Sequence, residues 1–264
     1  MVGKGEMKLN YQYLDVSIED NIAKVTLKRP PVNAVNQDMY RELKEAFENL
    51  GKNDYQANVA VLTSEGKVFC AGNDLNEFIT MTPENGIERM REVREAFWAI
   101  YDCEIPVIAA VNGAALGTGF ALAASCDLII ASENAKFALP EINVGVLGGA
   151  KFGARIVPEM VMRRMYFTGE ALSVQEISKY GAITEITSPE NLLAVSLDWA
   201  RKIGSKSPRA IKMARKSLNG CEYMDLKEGY KFEQQFTCEL SGYEEAKEAV
   251  RAVIEKRKPA FKGV

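Results

Sequence analysis

Histidine is missing from all 264 residues of the chain. Its absence excludes a Ser-His-Asp triad, a Cys-His dyad and nearly every catalytic zinc site, because each of these depends on an imidazole. Any proton transfer must therefore use aspartate, glutamate, lysine, tyrosine, cysteine or bound water. We accordingly look for a carboxylate placed where it can exchange protons, and we expect no metal site.

Long apolar runs and an excess of basic charge are also lacking. No stretch of about 18 apolar residues is free of charged residues, so we expect no membrane-spanning segment. The 33 Lys and Arg residues against 36 Asp and Glu residues give a net charge of -3, which offers no electrostatic reason to expect a nucleic-acid partner. The 5 cysteines show no CxxC spacing and no signal peptide opens the chain, which indicates reduced thiols in a cytoplasmic protein.

Strand-like and helix-like stretches alternate over the first part of the chain, which predicts an α/β core with covered sheets. After about residue 189 the strands stop and amphipathic helices continue to the end of the chain. We therefore predict a core over residues 1–190 and a helical C-terminal region over residues 191–264. The elements predicted in the core include a hairpin at 20–21, helices over 36–51 and 83–101, strands within 59–66, 106–113 and 127–133, and a short helix from 118.

Two of these strands are followed by loops rich in small residues, "FCAGNDL" and "VNGAALGTG". Small residues allow a ligand to approach the main chain closely. Two such loops at neighbouring strand ends can each aim one peptide N–H at a shared oxygen, and a helix beginning near Thr118 adds the positive end of its dipole. Either loop alone is better explained as an ordinary strand-to-helix turn. The two loops together predict an oxyanion hole.

A lone carboxylate follows in the segment "FALPEINVG". Pro140 fixes the backbone ahead of Glu141, and apolar Leu139 and Ile142 flank the pair. A carboxylate in apolar surroundings is desolvated, which raises its pKa and suits it to proton transfer near neutral pH. An isolated Pro-Glu pair is more often a surface turn, so the role of Glu141 depends on the loops around it.

In this order, the segments resemble the crotonase superfamily, also called the enoyl-CoA hydratase/isomerase family. The likeness runs from "VTLKRPPVNAV" through "FCAGNDL", "VNGAALGTGFALAASCD" and "FALPEINVGVLGG" to "FTGEALSVQEISKYGAI" and "EKRKPAFKG". The resemblance implies a crotonase-like spiral of ββα units with a C-terminal helical trimerisation region. It also implies a homotrimer or a dimer of trimers.

The resemblance further implies an enzyme that binds an acyl-CoA thioester and stabilises its enolate, with no cofactor apart from the coenzyme A of the substrate. The oxyanion-hole amides fall on Asn73 and Thr118, where many members have Ala and Gly, and Glu141 is the acid/base. The implied acyl pocket comprises Ala121, Gly149, Lys151 and Phe152, although Lys151 also suits a solvated helix start. The implied CoA contacts are Pro31, Val32, Ala71, Asp74 and Leu75, with Lys256 and Phe261 in the last helix.

One departure from the family pattern concerns the acid/base residues. Typical hydratases of the family carry two glutamates, and here Ala121 occupies the position of the first while Glu141 matches the second. Hydration needs a water held and activated by the pair. A single carboxylate is enough to carry a proton from C2 to C4 of an acyl chain through a dienolate, as in the Δ3,Δ2-enoyl-CoA isomerases. Isomerisation of a 3-enoyl-CoA is therefore the leading prediction.

Two other functions stay open. One is a hydratase or dehydratase of an unusual enoyl-CoA, in which Tyr, Asp or a substrate group replaces the missing glutamate. The other is a non-catalytic family member that binds acyl-CoA or RNA. The acidic charge balance argues against RNA, and the retention of Glu141 in an apolar turn argues against a loss of catalysis.

Overall fold

The structure is a computed structural model that describes residues 7–52 and 56–261. The strands in these residues are β1 (Met7–Asn10), β2 (Leu14–Glu19), β3 (Ile22–Leu27), β4 (Val59–Ser64), β5 (Val68–Cys70), β6 (Val107–Val111), β7 (Ala114–Leu116), β8 (Leu128–Ser132), β9 (Lys136–Ala138), β10 (Ala171–Ser173) and β11 (Glu185–Thr187). The helices are α1 (Gln37–Asn49), α2 (Leu75–Phe78), α3 (Pro83–Tyr101), α4 (Thr118–Ser125), α5 (Ala150–Gly153), α6 (Glu159–Thr168), α7 (Val174–Ser178), α8 (Leu192–Gly204), α9 (Pro208–Cys221), α10 (Leu226–Ser241) and α11 (Glu244–Ile254).

The strands form two sheets. The larger sheet has the order β1-β2-β3-β4-β6-β8-β11, with antiparallel pairing from β1 to β3 and parallel pairing from β3 onward. The smaller sheet has the order β10-β9-β7-β5, in which β5, β7 and β9 run parallel. The mixed α/β architecture with a parallel sheet agrees with the class predicted from the sequence.

Local sequence signals explain where the first elements begin and end. The β2–β3 hairpin turns at Asp20 and Asn21, whose φ angles are 50° and 61°. Asp and Asn tolerate this left-handed conformation better than other non-glycine residues, and two such residues in a row match the twist of a hairpin. The side chain of Asn36 accepts a hydrogen bond from the Met39 amide at 2.9 Å and so caps α1. Both elements lie where the sequence predicts them.

Helices cover both faces of the larger sheet. Alternate residues of β4 point to opposite sides, as the pleat of a strand requires. Ala60 and Leu62 join the main core together with α1, α3 and α4, whereas Val59 and Val61 pack against Leu192 of α8. The first helix of the predicted C-terminal region therefore closes the second face of the sheet.

Helices α8 to α11 confirm the predicted helical end of the chain, with one correction. Helix α11 ends at Ile254, so the prediction that Lys256 and Phe261 lie in the last helix is wrong. Lys256 has a φ of 54°, a left-handed conformation that an α-helix does not accommodate, and Pro259 then lacks the amide needed to continue one. In the residues that the structure describes, no helix has the length and apolar character needed to cross a membrane.

Candidate active site

Three loops meet at one edge of the smaller sheet because the strands before them are adjacent and parallel. Strand β5 leads into residues 71–74, β7 leads into Gly117 and Thr118, and β9 leads into Glu141. The carboxyl ends of parallel strands share an edge, which is where open α/β sheets place ligands. From the sequence, the two glycine loops are expected directly after two strands of the larger sheet. In the structure each loop instead follows a further three-residue strand, β5 or β7, and the parallel pairing of these strands brings the loops together.

A cavity of about 740 Å³ opens along this edge. Its volume falls in the range of about 300–1,000 Å³ that is usual for small-molecule sites. Lys256 and Phe261, both in the described part of the chain, are not in its walls. The predicted site residues that line it are Pro31, Val32, Ala71, Asn73, Asp74, Leu75 and Glu141.

The amides of Asn73 and Thr118 lie on loops that are in contact with each other. A Cβ placed on Gly72, whose φ is 104°, would lie 3.4 Å from the Leu116 carbonyl oxygen and 4.0 Å from the Thr118 nitrogen. Thr118 is the first residue of α4, so its amide has no acceptor within the helix. In the described residues, the Asn73 amide also makes no backbone hydrogen bond. Neither N–H group thus has a backbone acceptor in the described chain; Asn73 lines the cavity, whereas Thr118 is 4% exposed and its neighbour Gly117 lines it.

Glu141 lies on a 3₁₀ turn (Pro140–Val144) and is 8% exposed. Its Oε2 is buried without a hydrogen-bond partner in the described chain. Its Oε1 lies between two glycines with no space for a larger side chain. A Cβ on Gly117 would lie 2.7 Å from that oxygen, and a Cβ on Gly148 would lie 2.9 Å from it. Burial raises the pKa of the Glu141 carboxyl above its usual range. An unpartnered carboxylate oxygen with this perturbation, in a cavity wall, marks a candidate acid/base.

Asp74 lies in the same wall and has a different role. The Arg29 guanidinium contacts its carboxylate at 2.5 Å and holds the pKa of Asp74 below its usual range. The other oxygen of Asp74 accepts the Asn76 amide at 2.9 Å and caps α2. Asp74 is thus an ion-paired helix cap, which leaves Glu141 as the unpaired carboxylate of the wall among the described residues. Arg29 belongs to the basic stretch at 28–30, which in the sequence is better explained as solvated charge than as a phosphate-binding group, and it also packs over the Tyr13 ring at 5.6 Å.

Ala121 and Gly149 face each other behind the wall of the cavity. Ala121 is fully buried in α4, and a Cβ on Gly149 would lie 3.2 Å from the Ala121 Cβ and 3.2 Å from Leu139 Cδ2. Neither residue lines the 740 Å³ cavity. The position where the family pattern places a second glutamate is therefore tightly packed in this chain.

Lys151 and Phe152 also lie outside the wall of this cavity. The Lys151 ammonium group lies 4.6 Å from the centre of the Tyr223 ring. The Phe152 ring packs edge-on against Phe97 and Tyr101, with centroid distances of 5.4 and 6.5 Å. The structure thus places these two predicted acyl-pocket residues against α3 and the segment after α9. Their role in an acyl pocket stays a prediction.

Tyr40 is a site residue that the sequence analysis misses. Its hydroxyl donates to Asn73 Oδ1 at 2.5 Å and lies 2.7 Å from Thr118 Oγ1. Burial is the main cause that raises the pKa of this phenol far above its usual range, so it stays protonated. The available signal is its position on the buried face of α1, between Met39 and Leu43, because a buried tyrosine hydroxyl normally needs a partner.

Comparisons with known proteins agree with this geometry. The family signature described as enoyl-CoA hydratase/isomerase matches residues 17–264. The chain is 38% identical over 224 residues to the (7aS)-7a-methyl-1,5-dioxo-2,3,5,6,7,7a-hexahydro-1H-indene-carboxyl-CoA hydrolase of Rhodococcus jostii, covering 84% of this chain and 86% of that protein. It is 33% identical over 255 residues to the 2,3-dehydroadipyl-CoA hydratase of Escherichia coli, covering 95% and 98%.

A solved structure gives the same result for the fold. The enoyl-CoA hydratase from Bacillus anthracis superposes with a TM-score of 0.90 at 28% identity, covering 96% of this chain and 100% of that one. Coverage of this extent includes the core and the C-terminal helices. The fold class implied by the sequence motifs is therefore confirmed.

Proposed function

Because the chain belongs to the enoyl-CoA hydratase/isomerase family, we propose that it acts on an acyl-CoA thioester with Glu141 as its sole acid/base. The observation that carries this proposal is the state of the Glu141 carboxylate. It is buried, its Oε2 has no partner in the described chain, and its pKa is raised by burial. The other carboxylate of the wall, Asp74, is bound to Arg29.

The leading reaction is the isomerisation of a 3-enoyl-CoA to a 2-enoyl-CoA. The Glu141 carboxylate removes a proton from C2, and the electron pair moves onto the thioester oxygen. The amides of Asn73 and Thr118 donate hydrogen bonds to that oxygen as its charge develops. The C3–C4 π bond then breaks as its electron pair takes the proton from the carboxyl group at C4, while the enolate electrons form the C2–C3 double bond and the thioester carbonyl is restored. No water enters, so one carboxyl group balances the reaction.

The raised pKa of Glu141 supports this role. A carboxylate with an ordinary pKa is almost fully ionised near neutral pH and is a weak acid for the return step. A pKa shifted upward strengthens the base and keeps its protonated form accessible.

A second candidate is the addition of water to the acyl group, and the names of the relatives favour it. The E. coli and Clostridium acetobutylicum relatives are named hydratases, and the R. jostii relative is named a hydrolase. In this chain such a reaction would rely on Glu141, on Tyr or Asp, or on a group of the substrate. The alanine at position 121, where the family pattern has the first glutamate, argues against a water held between two carboxylates.

The products of a small substrate panel test the proposal. We expect purified protein to convert trans-3-hexenoyl-CoA into trans-2-hexenoyl-CoA, with a changed retention time and an unchanged mass. Glu141→Gln serves as the matched control, since it keeps the shape of the side chain and removes the base. A product of trans-2-hexenoyl-CoA that has gained one water would support the second candidate. Binding of these thioesters without turnover would contradict both.

A further inference from the structure

Three polar side chains from separate elements meet behind the predicted oxyanion hole. Tyr40 comes from α1, Asn73 from the loop after β5, and Thr118 from the first turn of α4. The Tyr40 hydroxyl lies 2.5 Å from Asn73 Oδ1 and 2.7 Å from Thr118 Oγ1, and the last two atoms are 3.2 Å apart. The two residues whose amides are predicted to bind the thioester oxygen are therefore connected through one tyrosine.

The number of available protons fixes the direction of these hydrogen bonds. A tyrosine hydroxyl carries one proton, and the carbonyl Oδ1 of Asn73 can only accept. Tyr40 therefore donates to Asn73, and at 2.7 Å Thr118 must donate to the Tyr40 oxygen. The bonds run from Thr118 to Tyr40 to Asn73, and bonds arranged in such a chain strengthen one another.

Two of the three side chains in this chain of bonds are buried in the core. Tyr40 is 1% exposed and Thr118 is 4% exposed. The Phe97 ring packs edge-on against the Tyr40 ring, with a centroid distance of 6.1 Å. A hydroxyl lost from position 40 would leave buried polar groups with a poorer partner, because only the longer Thr118–Asn73 contact of 3.2 Å would remain.

We propose that Tyr40 is a positioning residue that sets the distance and direction of the Asn73 and Thr118 amides. The inference rests on the proposed function, because it takes these amides as the donors to the thioester oxygen. The side chains of Asn73 and Thr118 are both bound to Tyr40, so the phenol adds a link between the two loops beyond the β5–β7 pairing and the longer Thr118–Asn73 contact. The coupling depends on Asn and Thr at positions where Ala and Gly have no group for Tyr40 to bind.

The direct test removes the hydroxyl with Tyr40→Phe. With trans-3-hexenoyl-CoA we expect kcat to fall by up to about 10²-fold, the order of loss that a small misplacement of a catalytic group causes, while KM changes little. A loss of cavity shape would instead raise KM. Tyr101→Phe is the matched control, since it removes the hydroxyl that contacts Glu222 away from the loops, and we expect it to leave kcat unchanged.

A spectroscopic measurement reports the position of the amides without turnover. We expect the carbonyl stretch of bound hexanoyl-CoA, labelled with ¹³C at the thioester carbon, to lie at a lower wavenumber than in solution. Tyr40→Phe should reverse part of this lowering. Thr118→Val should act in the same direction, because it removes the hydroxyl that donates to Tyr40, and it keeps the test valid if Tyr40→Phe folds poorly.

Combining variants tests whether Tyr40 acts on kcat through the side chains of Asn73 and Thr118. In the double variant Asn73→Ala with Thr118→Gly, both side chains are gone and both amides remain, so Tyr40→Phe should have no further effect on kcat. A full effect of Tyr40→Phe in that background would overturn the inference. So would an unchanged carbonyl stretch in Tyr40→Phe and Thr118→Val. If the parent itself shows no lowering of the stretch on binding, the proposed function fails at its oxyanion hole.

Discussion

At the scale of single residues, the account depends on the isolation of Glu141. Its Oε1 lies in a gap that two glycines keep open, and its Oε2 has no partner in the described chain. Removing the base while keeping the shape should therefore remove the chemistry. We expect Glu141→Gln to lower kcat by about 10²–10⁴-fold, the usual loss for a positioned general base. Steady-state kinetics with trans-3-hexenoyl-CoA check this, and turnover within a few-fold of the parent would contradict it.

The raised pKa of Glu141 predicts that the stability of the folded protein depends on pH. Burial raises the pKa of Glu141 in the folded protein above its value in the unfolded chain, so the folded state holds this proton more tightly. The free energy of unfolding then falls as pH rises through the two pKa values. The loss of unfolding free energy caused by ionised Glu141 is complete above the pKa of the folded protein and absent below the pKa of the unfolded chain, which is about 4.3.

Glu141→Gln should consequently raise the Tm above the folded pKa and leave it unchanged below the unfolded pKa. The chain has no histidine, so few other side chains titrate near neutral pH and the difference between the two proteins is simple to interpret. Thermal melts of both proteins at about pH 4 and about pH 8 measure it. A Tm difference that is the same at both pH values would contradict a raised pKa.

At the scale of elements, the first residue before α4 controls the geometry of the site. Gly117 has a φ of 54°, and a Cβ there would lie 2.7 Å from Glu141 Oε1. We expect Gly117→Ala to destabilise the fold by about 1–3 kcal/mol through backbone strain and to displace the carboxylate as well. Gly181→Ala is the control, since Gly181 has a φ of 80° with nothing within 4 Å.

Denaturant unfolding and kinetics separate the two effects. Both variants should lose stability from backbone strain, whereas Gly117→Ala alone should lose activity under conditions where both proteins are folded. Equal activity of the two variants would show that the close approach of Gly117 to Glu141 does not matter for turnover.

The elements that the sequence predicts well are those with local signals. Asn36 caps α1, Thr82 caps α3 ahead of Pro83, and the hairpin residues adopt left-handed conformations, so these boundaries follow from neighbouring residues. Strands β5, β7 and β9 have only three residues each, which is too short for an alternating pattern. The smaller sheet that aligns the three loops was therefore not predictable from periodicity.

The site residues also divide into those with a local sequence signal and those without one. Glu141, Asn73 and Thr118 lie in motifs that the sequence displays, and the structure brings their loops together at one sheet edge. Tyr40 reaches Asn73 across 33 positions and Thr118 across 78, so no local pattern connects them. The family resemblance implies that Lys256 lies in the last helix, whereas its left-handed φ places it just beyond the helix end at Ile254.

At the scale of the whole molecule, the homotrimer or dimer of trimers implied by the family resemblance stays a prediction, and the last helices offer residues that can test it. Leu226 of α10 is 88% exposed, and Val253 and Ile254 of α11 are 77% and 74% exposed. Contiguous apolar patches mark contacts, so we expect these residues to be covered if α10 and α11 form the contact between subunits. We expect light scattering to give three or six times the mass of one chain, as a homotrimer or a dimer of trimers requires. Val253→Asp should reduce the assembly, and a monomeric parent at micromolar concentration would contradict the expectation.

The central claim is that one carboxylate moves a proton and that no water is added. The most direct measurement incubates the unmodified protein with trans-3-hexenoyl-CoA in D₂O, and with trans-2-hexenoyl-CoA in ¹⁸O-labelled water, and locates the isotopes by mass spectrometry. The account predicts a 2-enoyl product with deuterium at C2 or C4, and little ¹⁸O in any product. Rapid conversion of the 2-enoyl-CoA into a product with ¹⁸O at C3 would contradict it and would establish water addition as the reaction.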